Sequence, residues 1–156
     1  KDRQYVANTS RREGVDYERN IRAVYIPVVR SSLYEVFTAF DLPDPAVTQG
    51  DRASTVIAPQ ALFLMNGAVT LRHTRKMAEL LLALPVTEDA DRIRDAYERA
   101  LSRPASAREI DQALTFLAQV DKALVDRHAD ASQRRVLAWQ SFCKALLSSN
   151  EFIYLN

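Results

Sequence analysis

The feature that most constrains this chain is a run of apolar residues at helical spacing across its second half. Ile93, Ala96, Tyr97, Ala100 and Leu101 recur at three- and four-residue intervals, and so do Ile110, Ala113, Leu114, Leu117, Val120 and Leu124. A third stripe carries Val136, Trp139, Phe142, Cys143 and Leu146. That period places each set on one face of an α-helix, and each face needs a partner to bury it. Pro104 ends the first stripe, and Ser106 with Glu109 has the spacing of a capping box that opens the second. Short polar connections predict that successive helices pack roughly antiparallel.

The first half reads differently. Residues 1–22 are charged and lack periodicity, so a polar arm is expected there. AVYIPVVR, Ala23 to Arg30, is β-branched and aromatic, but Pro27 cannot donate to a ladder. At most a small β element is expected near Ala23–Arg30, paired with STVIA (Ser54 to Ala58) or EFIYL (Glu151 to Leu155). Ser32 and Glu35 again have capping-box spacing, and Leu33, Val36, Phe37 and Phe40 then share a helical face until Pro43 and Pro45 stop it. A second helix is expected from Pro59, buried on every side because Ala61 to Met65 is apolar all round. Asn66-Gly67 suggests a left-handed stop, followed by a longer helix to about Leu84.

These readings assemble into a mainly α fold: a bundle of about four to six helices with a long, ordered, Pro- and Asp-rich loop. A chain of 156 residues fits a single domain. Its expected parts are the arm (1–22), an extended segment, short helix and loop (23–58), a helical core (59–148) and a C-terminal segment (149–156). Gly occurs only 3 times, which suits helices over a loop-rich β architecture. The start at Lys1, with no visible leader, suggests a piece of a larger protein.

Composition narrows the function classes. Lys and Arg total 21 against 20 Asp and Glu, so a net charge of +1 gives no general attraction to nucleic acid or anionic lipid. One cysteine, Cys143, permits neither an internal disulfide nor a Cys-based zinc site, and no apolar run reaches membrane-span length. Cys143 lies on an apolar stripe, as a buried inert thiol would. His73 sits on a basic helix face and His128 near a helix C-terminus, where a cation suits the dipole. No residue is assigned a catalytic or metal-binding role.

The loop between Phe40 and Gln60 is the candidate site. Asp41, Asp44 and Asp51 could hold a cation through their oxygens, or could pair with Arg22, Arg30 or Arg52 and pin the loop to the helices. Pinning is the expectation, with Arg52 satisfying several acceptors at once.

The blocks RAVYIPVVR, FDLPDP, GDRASTVIAPQALFLMN, RIRDAYERALSRPASAREI and AWQSFCKALLSSNEFIYLN, in that order, resemble the PSD1 domain, a domain of unknown function (DUF1553). The chain resembles its C-terminal portion. The resemblance implies a domain of large, often exported proteins of planctomycetes and their relatives, commonly carrying a cytochrome c domain upstream. It supplies no catalytic residues. It marks Asp41, Asp44, Asp51, Arg52, Thr55, Gln60, Asn150 and Glu151 as a candidate ligand or interaction loop. No C-x-x-C-H motif occurs, so any haem would belong to other parts of the parent, and no cofactor is expected in this chain. The expected function is a non-catalytic accessory or interaction domain whose partners are other domains of the parent chain. The alternative is part of an enzyme acting on polysaccharide or another exported substrate, with the Asp-rich loop lining the site.

Overall fold

A computed structural model describes residues 22–28, 35–40, 42–43, 50, 57–127 and 130–153. The described elements are a 3-10 turn, Ala23–Tyr25, and the helices α1 (Glu35–Ala39), α2 (Ile57–Asn66), α3 (Ala68–Leu82), α4 (Asp89–Leu101), α5 (Ala107–Leu124), α6 (Ala131–Leu147) and α7 (Asn150–Ile153). The protein is mainly α, as the periodicity predicts. By internal contacts the chain divides into two units, Lys1–Phe63 and Leu64–Asn156.

In the first unit, the segment expected to be extended folds locally instead. The Tyr25 amide donates to the Arg22 carbonyl at 2.9 Å and the Ile26 amide to Ala23 at 3.0 Å, which closes a 3-10 turn. Ile26 then leaves at φ −83° and ψ 126°, the extended geometry that a following proline imposes. No strand occurs among the described residues, because these backbone groups find partners three residues away rather than in a neighbouring strand. The proposed pairing segments are corrected as well. Ile57 and Ala58 lie inside α2, and Glu151 to Ile153 lies inside α7. Phe40 meets Phe63 edge to face, with centroids 6.1 Å apart and planes at 89°.

Helix α2 begins at Ile57, two residues before Pro59. A proline fits there because the first-turn amides have no intrahelical acceptor to lose. The helix was expected to be buried all round, yet Leu62 is 63% and Met65 53% exposed. Its apolar residues are distributed around the axis, so no single docked face could cover them all. Gly67 is also not left-handed: at φ −62° and ψ 135° it is extended and serves as the N-cap of α3, its carbonyl accepting from the Leu71 amide.

The second unit holds the core. Its four long helices alternate in direction, as cross-helix contacts demonstrate. Gln140 of α6 donates to the Leu71 carbonyl in α3 at 3.0 Å. Arg135, near the start of α6, reaches Asp89 at the start of α4. Arg134 reaches Asp121 near the end of α5. Helices α4 and α6 therefore run parallel, with α3 and α5 opposed to them. Each helix packs on its sequence neighbour, and α3 closes the ring by packing on α6.

The shared interior contains Ala78 and Leu81 from α3, Ile93 and Ala96 from α4, Ile110, Ala113 and Leu117 from α5, and Ala138, Trp139, Phe142, Cys143 and Leu146 from α6. The alanines let the helices approach, and the rings fill the centre, with Trp139 and Phe142 edge to face at 5.7 Å. Leu114, expected inward, is 37% exposed. Thr74 is fully buried, and its hydroxyl donates to the Thr70 carbonyl at 2.8 Å, so the buried group is satisfied within its own helix.

Candidate functional site

Of the residues expected to form a site, Asp41, Asp44, Asp51, Arg52 and Thr55 lie outside the described residues, as do Ser32 and His128. Gln60 is half-buried in α2, and Asn150 is exposed at the first position of α7. Glu151 is the expected site residue with the most developed surroundings.

Those surroundings begin with the connection between α4 and α5. Helix α4 ends at Ser102, whose φ of 55° makes it the left-handed residue that terminates the helix. The reversal turns Arg103 back over the Tyr97 ring, with the guanidinium carbon 5.4 Å from the centroid. Two residues past Pro104, Ser106 caps α5. Its Oγ accepts from the Glu109 amide at 3.3 Å, while the Ser106 amide donates to Glu109 Oε2 at 2.8 Å. The predicted capping box is thus present in full.

Arg103 joins this cap to the C-terminal helix. Nη2 donates to Glu109 Oε1 at 2.8 Å and Nη1 to Glu109 Oε2 at 3.1 Å. The same guanidinium bridges Glu151, with Nε to Oε1 at 2.5 Å and Nη2 to Oε2 at 2.7 Å. One cation therefore holds two carboxylates that are far apart in sequence.

The electrostatics follow from that arrangement. Arg103 and the two donors of Ser106 hold the Glu109 carboxyl down to about 2, and Arg103 holds Glu151 below its ordinary value. Hydrogen bonds to Glu151 and Glu109 raise the Arg103 guanidinium further above its already high value. Burial, and then the Glu109 charge, raise the Tyr97 phenol. Both acids are accordingly fixed as anions. This suits a fastening and opposes proton donation at neutral pH.

Sequence reading found Glu109 through the capping box and Glu151 through the resemblance, but missed Arg103. Arg103-Pro104 offers no periodicity, and its 48-residue link to Glu151 exists only after folding. Elsewhere, His73 is exposed, as expected. Cys143 is fully buried, and burial pushes its thiol up to about 12. Among the described residues, no three His, Cys, Asp or Glu side chains are grouped to hold a metal ion, and no helix is long and apolar enough to cross a membrane.

Comparison with known proteins gives a family match. The family model of PSD1, a protein of unknown function (DUF1553), matches residues 2–117. That span ends at Leu117 within α5, so α6 and the Glu151 block lie beyond it. No curated protein and no solved structure matches the chain significantly. A match over most of the chain settles the assignment: the chain belongs to the PSD1 (DUF1553) family, whose function is unknown.

Proposed function

We propose that this chain is a non-catalytic accessory or interaction domain of a larger, exported, cytochrome-associated protein of the planctomycete type. The observation that carries this reading is exposed apolar surface in the first unit. Val24 is 80% and Tyr25 72% exposed, large side chains that a partner surface would cover. The chemically versatile groups, by contrast, are engaged in structure. Cys143 is sealed in the core, and Glu109 and Glu151 are clasped by Arg103. The natural partner is another domain of the same parent chain.

Calorimetric titration of this chain with the remainder of its parent, supplied separately, tests the reading. Saturable binding is expected, and Val24→Asp combined with Tyr25→Asp should weaken it about tenfold while helical circular dichroism is retained. Absence of binding, or turnover of a polysaccharide by the isolated chain, would overturn it. The polysaccharide reading gains nothing from Glu151, since a general acid needs a raised carboxyl pKa and that of Glu151 is lowered.

A further inference from the structure

A single residue, Gly67, separates α2 from α3. Asn66 before it is exposed and ends α2, while the Gly67 carbonyl caps α3 by accepting from the Leu71 amide at 3.0 Å. The Gly67 amide is used differently from its counterparts at other helix ends. The amides of Ala83, after α3, and Ser102, after α4, each donate back into their helix at 3.0 Å, to Glu79 and Glu98. Among the described residues, the Gly67 amide donates to no backbone carbonyl.

That nitrogen can close a five-membered ring on the side-chain amide of the residue before it. Gly67 has no Cβ to shield the nitrogen from attack. Asn66 is the terminal residue of its helix, and helix ends fray, so it reaches the required geometry more readily than an interior residue would. Asn66 is also the only asparagine in the chain that is followed by glycine. Asn8, Asn20 and Asn150 precede Thr9, Ile21 and Glu151, whose side chains crowd the nitrogen.

We propose that Asn66-Gly67 is a site of spontaneous deamidation, with water as the only co-reactant. The Gly67 nitrogen gives its proton to a base and bonds to Asn66 Cγ. The Cγ–Nδ2 bond breaks, and ammonia leaves with a proton taken up in return. Water then opens the imide: cleavage at Cγ gives aspartate, and cleavage at the Asn66 main-chain carbonyl gives isoaspartate. Either product lowers the formal net charge from +1 to zero. Isoaspartate also routes the backbone through the side chain, which lengthens the covalent link into α3 and shifts the Gly67 carbonyl away from the Leu71 amide. The proposal goes beyond the interaction role and does not depend on it.

The test incubates the whole chain at about pH 6 and about pH 8, since base removes the amide proton, and follows the acidic form by isoelectric focusing. Tryptic mapping locates the change in the peptide of residues 53–72, which holds Asn66 as its one asparagine. Hydroxylamine should cleave the imide between Asn66 and Gly67. Conversion confined to Asn66, faster at the higher pH, is expected. The folded chain should react at no less than about a tenth of the rate of a synthetic peptide of residues 60–72, and Gly67→Ala should slow the reaction at least about tenfold. Circular dichroism checks that the variant folds, and if it does not, the comparison with Asn150 in the unsubstituted chain decides. An Asn66 that stays intact while the peptide converts, equal conversion at Asn150, or an unchanged rate in folded Gly67→Ala would each overturn the proposal.

Discussion

Arg103 and Glu151 lie 48 residues apart and meet through two near-parallel hydrogen bonds, Nε to Oε1 at 2.5 Å and Nη2 to Oε2 at 2.7 Å. This contact fastens the four-residue α7 to the turn between α4 and α5. Helix α7 is too short to hold itself, since a single turn recovers few backbone bonds for the residues it fixes. Glu151→Gln should leave the bundle folded and release α7. Hydrogen exchange at the Phe152 and Ile153 amides should then accelerate several-fold, with no change at the α5 amides. Unchanged exchange at both positions would show that the clasp does not hold the helix.

The Glu109 carboxyl gives the fastening a defined pH window. Its folded value of about 2 lies below its ordinary value of 4.5, so the unfolded state takes up the proton first. The contribution is complete above about 4.5 and is lost as pH falls towards 2. The lowering at Glu151 acts in the same direction. Thermal melts should therefore show stability falling below about pH 4.5, and Glu109→Gln should flatten that slope. An identical slope in the variant would count against the assignment.

Arg92 is a second fastening, this one buried. It is 8% exposed, and its guanidinium donates to the Val86 carbonyl, to the Thr87 carbonyl at 3.2 Å and to Asp89 at 3.1 Å. It thereby shapes the connection between α3 and α4. Arg92→Met retains the aliphatic stem but leaves those acceptors unanswered, so chemical denaturation should register a loss of roughly 2–3 kcal/mol. A loss no larger than that of an ordinary surface change would contradict this role.

The centre of the bundle should be the costliest place to cut. Trp139→Ala removes an almost fully buried ring that packs on Phe142, and it should destabilise the protein by about 3–5 kcal/mol. Cys143, fully buried with its thiol pushed up to about 12, should resist iodoacetamide at neutral pH in the folded protein and react once urea unfolds it. Rapid alkylation under native conditions would mean that the core opens locally.

Ser102 provides a stabilising test. It occupies the left-handed conformation at φ 55°, where a side chain costs energy and glycine does not. Ser102→Gly should raise stability by about 0.5–1 kcal/mol, with part of the gain offset by the greater freedom of glycine in the unfolded chain. A lower melting temperature would show that the Ser102 side chain makes an overriding contribution.

The sequence by itself determined the helices of the second half, because their signals are local. Apolar spacing placed Ile93 and Ala96, Ile110 and Ala113, and Trp139 and Phe142 on inward faces, and Ser106 with Glu109 marked the α5 start to the residue. Both signals act within about one helical turn, so they survive without knowledge of the fold. Signals that need a partner misled. AVYIP has strand composition, but strand composition describes a fit to a neighbouring strand, and the local turn supplied the hydrogen bonds instead. The apolar run from Ala61 to Met65 implied burial, but burial depends on what else is available to cover it, and Leu62 and Met65 stay exposed. Tertiary structure alone decided that Arg103 would clasp Glu109 and Glu151, and that Arg134 and Arg135 would reach Asp121 and Asp89. Those groups lie up to 48 residues apart in the chain, and only the alternating directions of four packed helices bring their ends together.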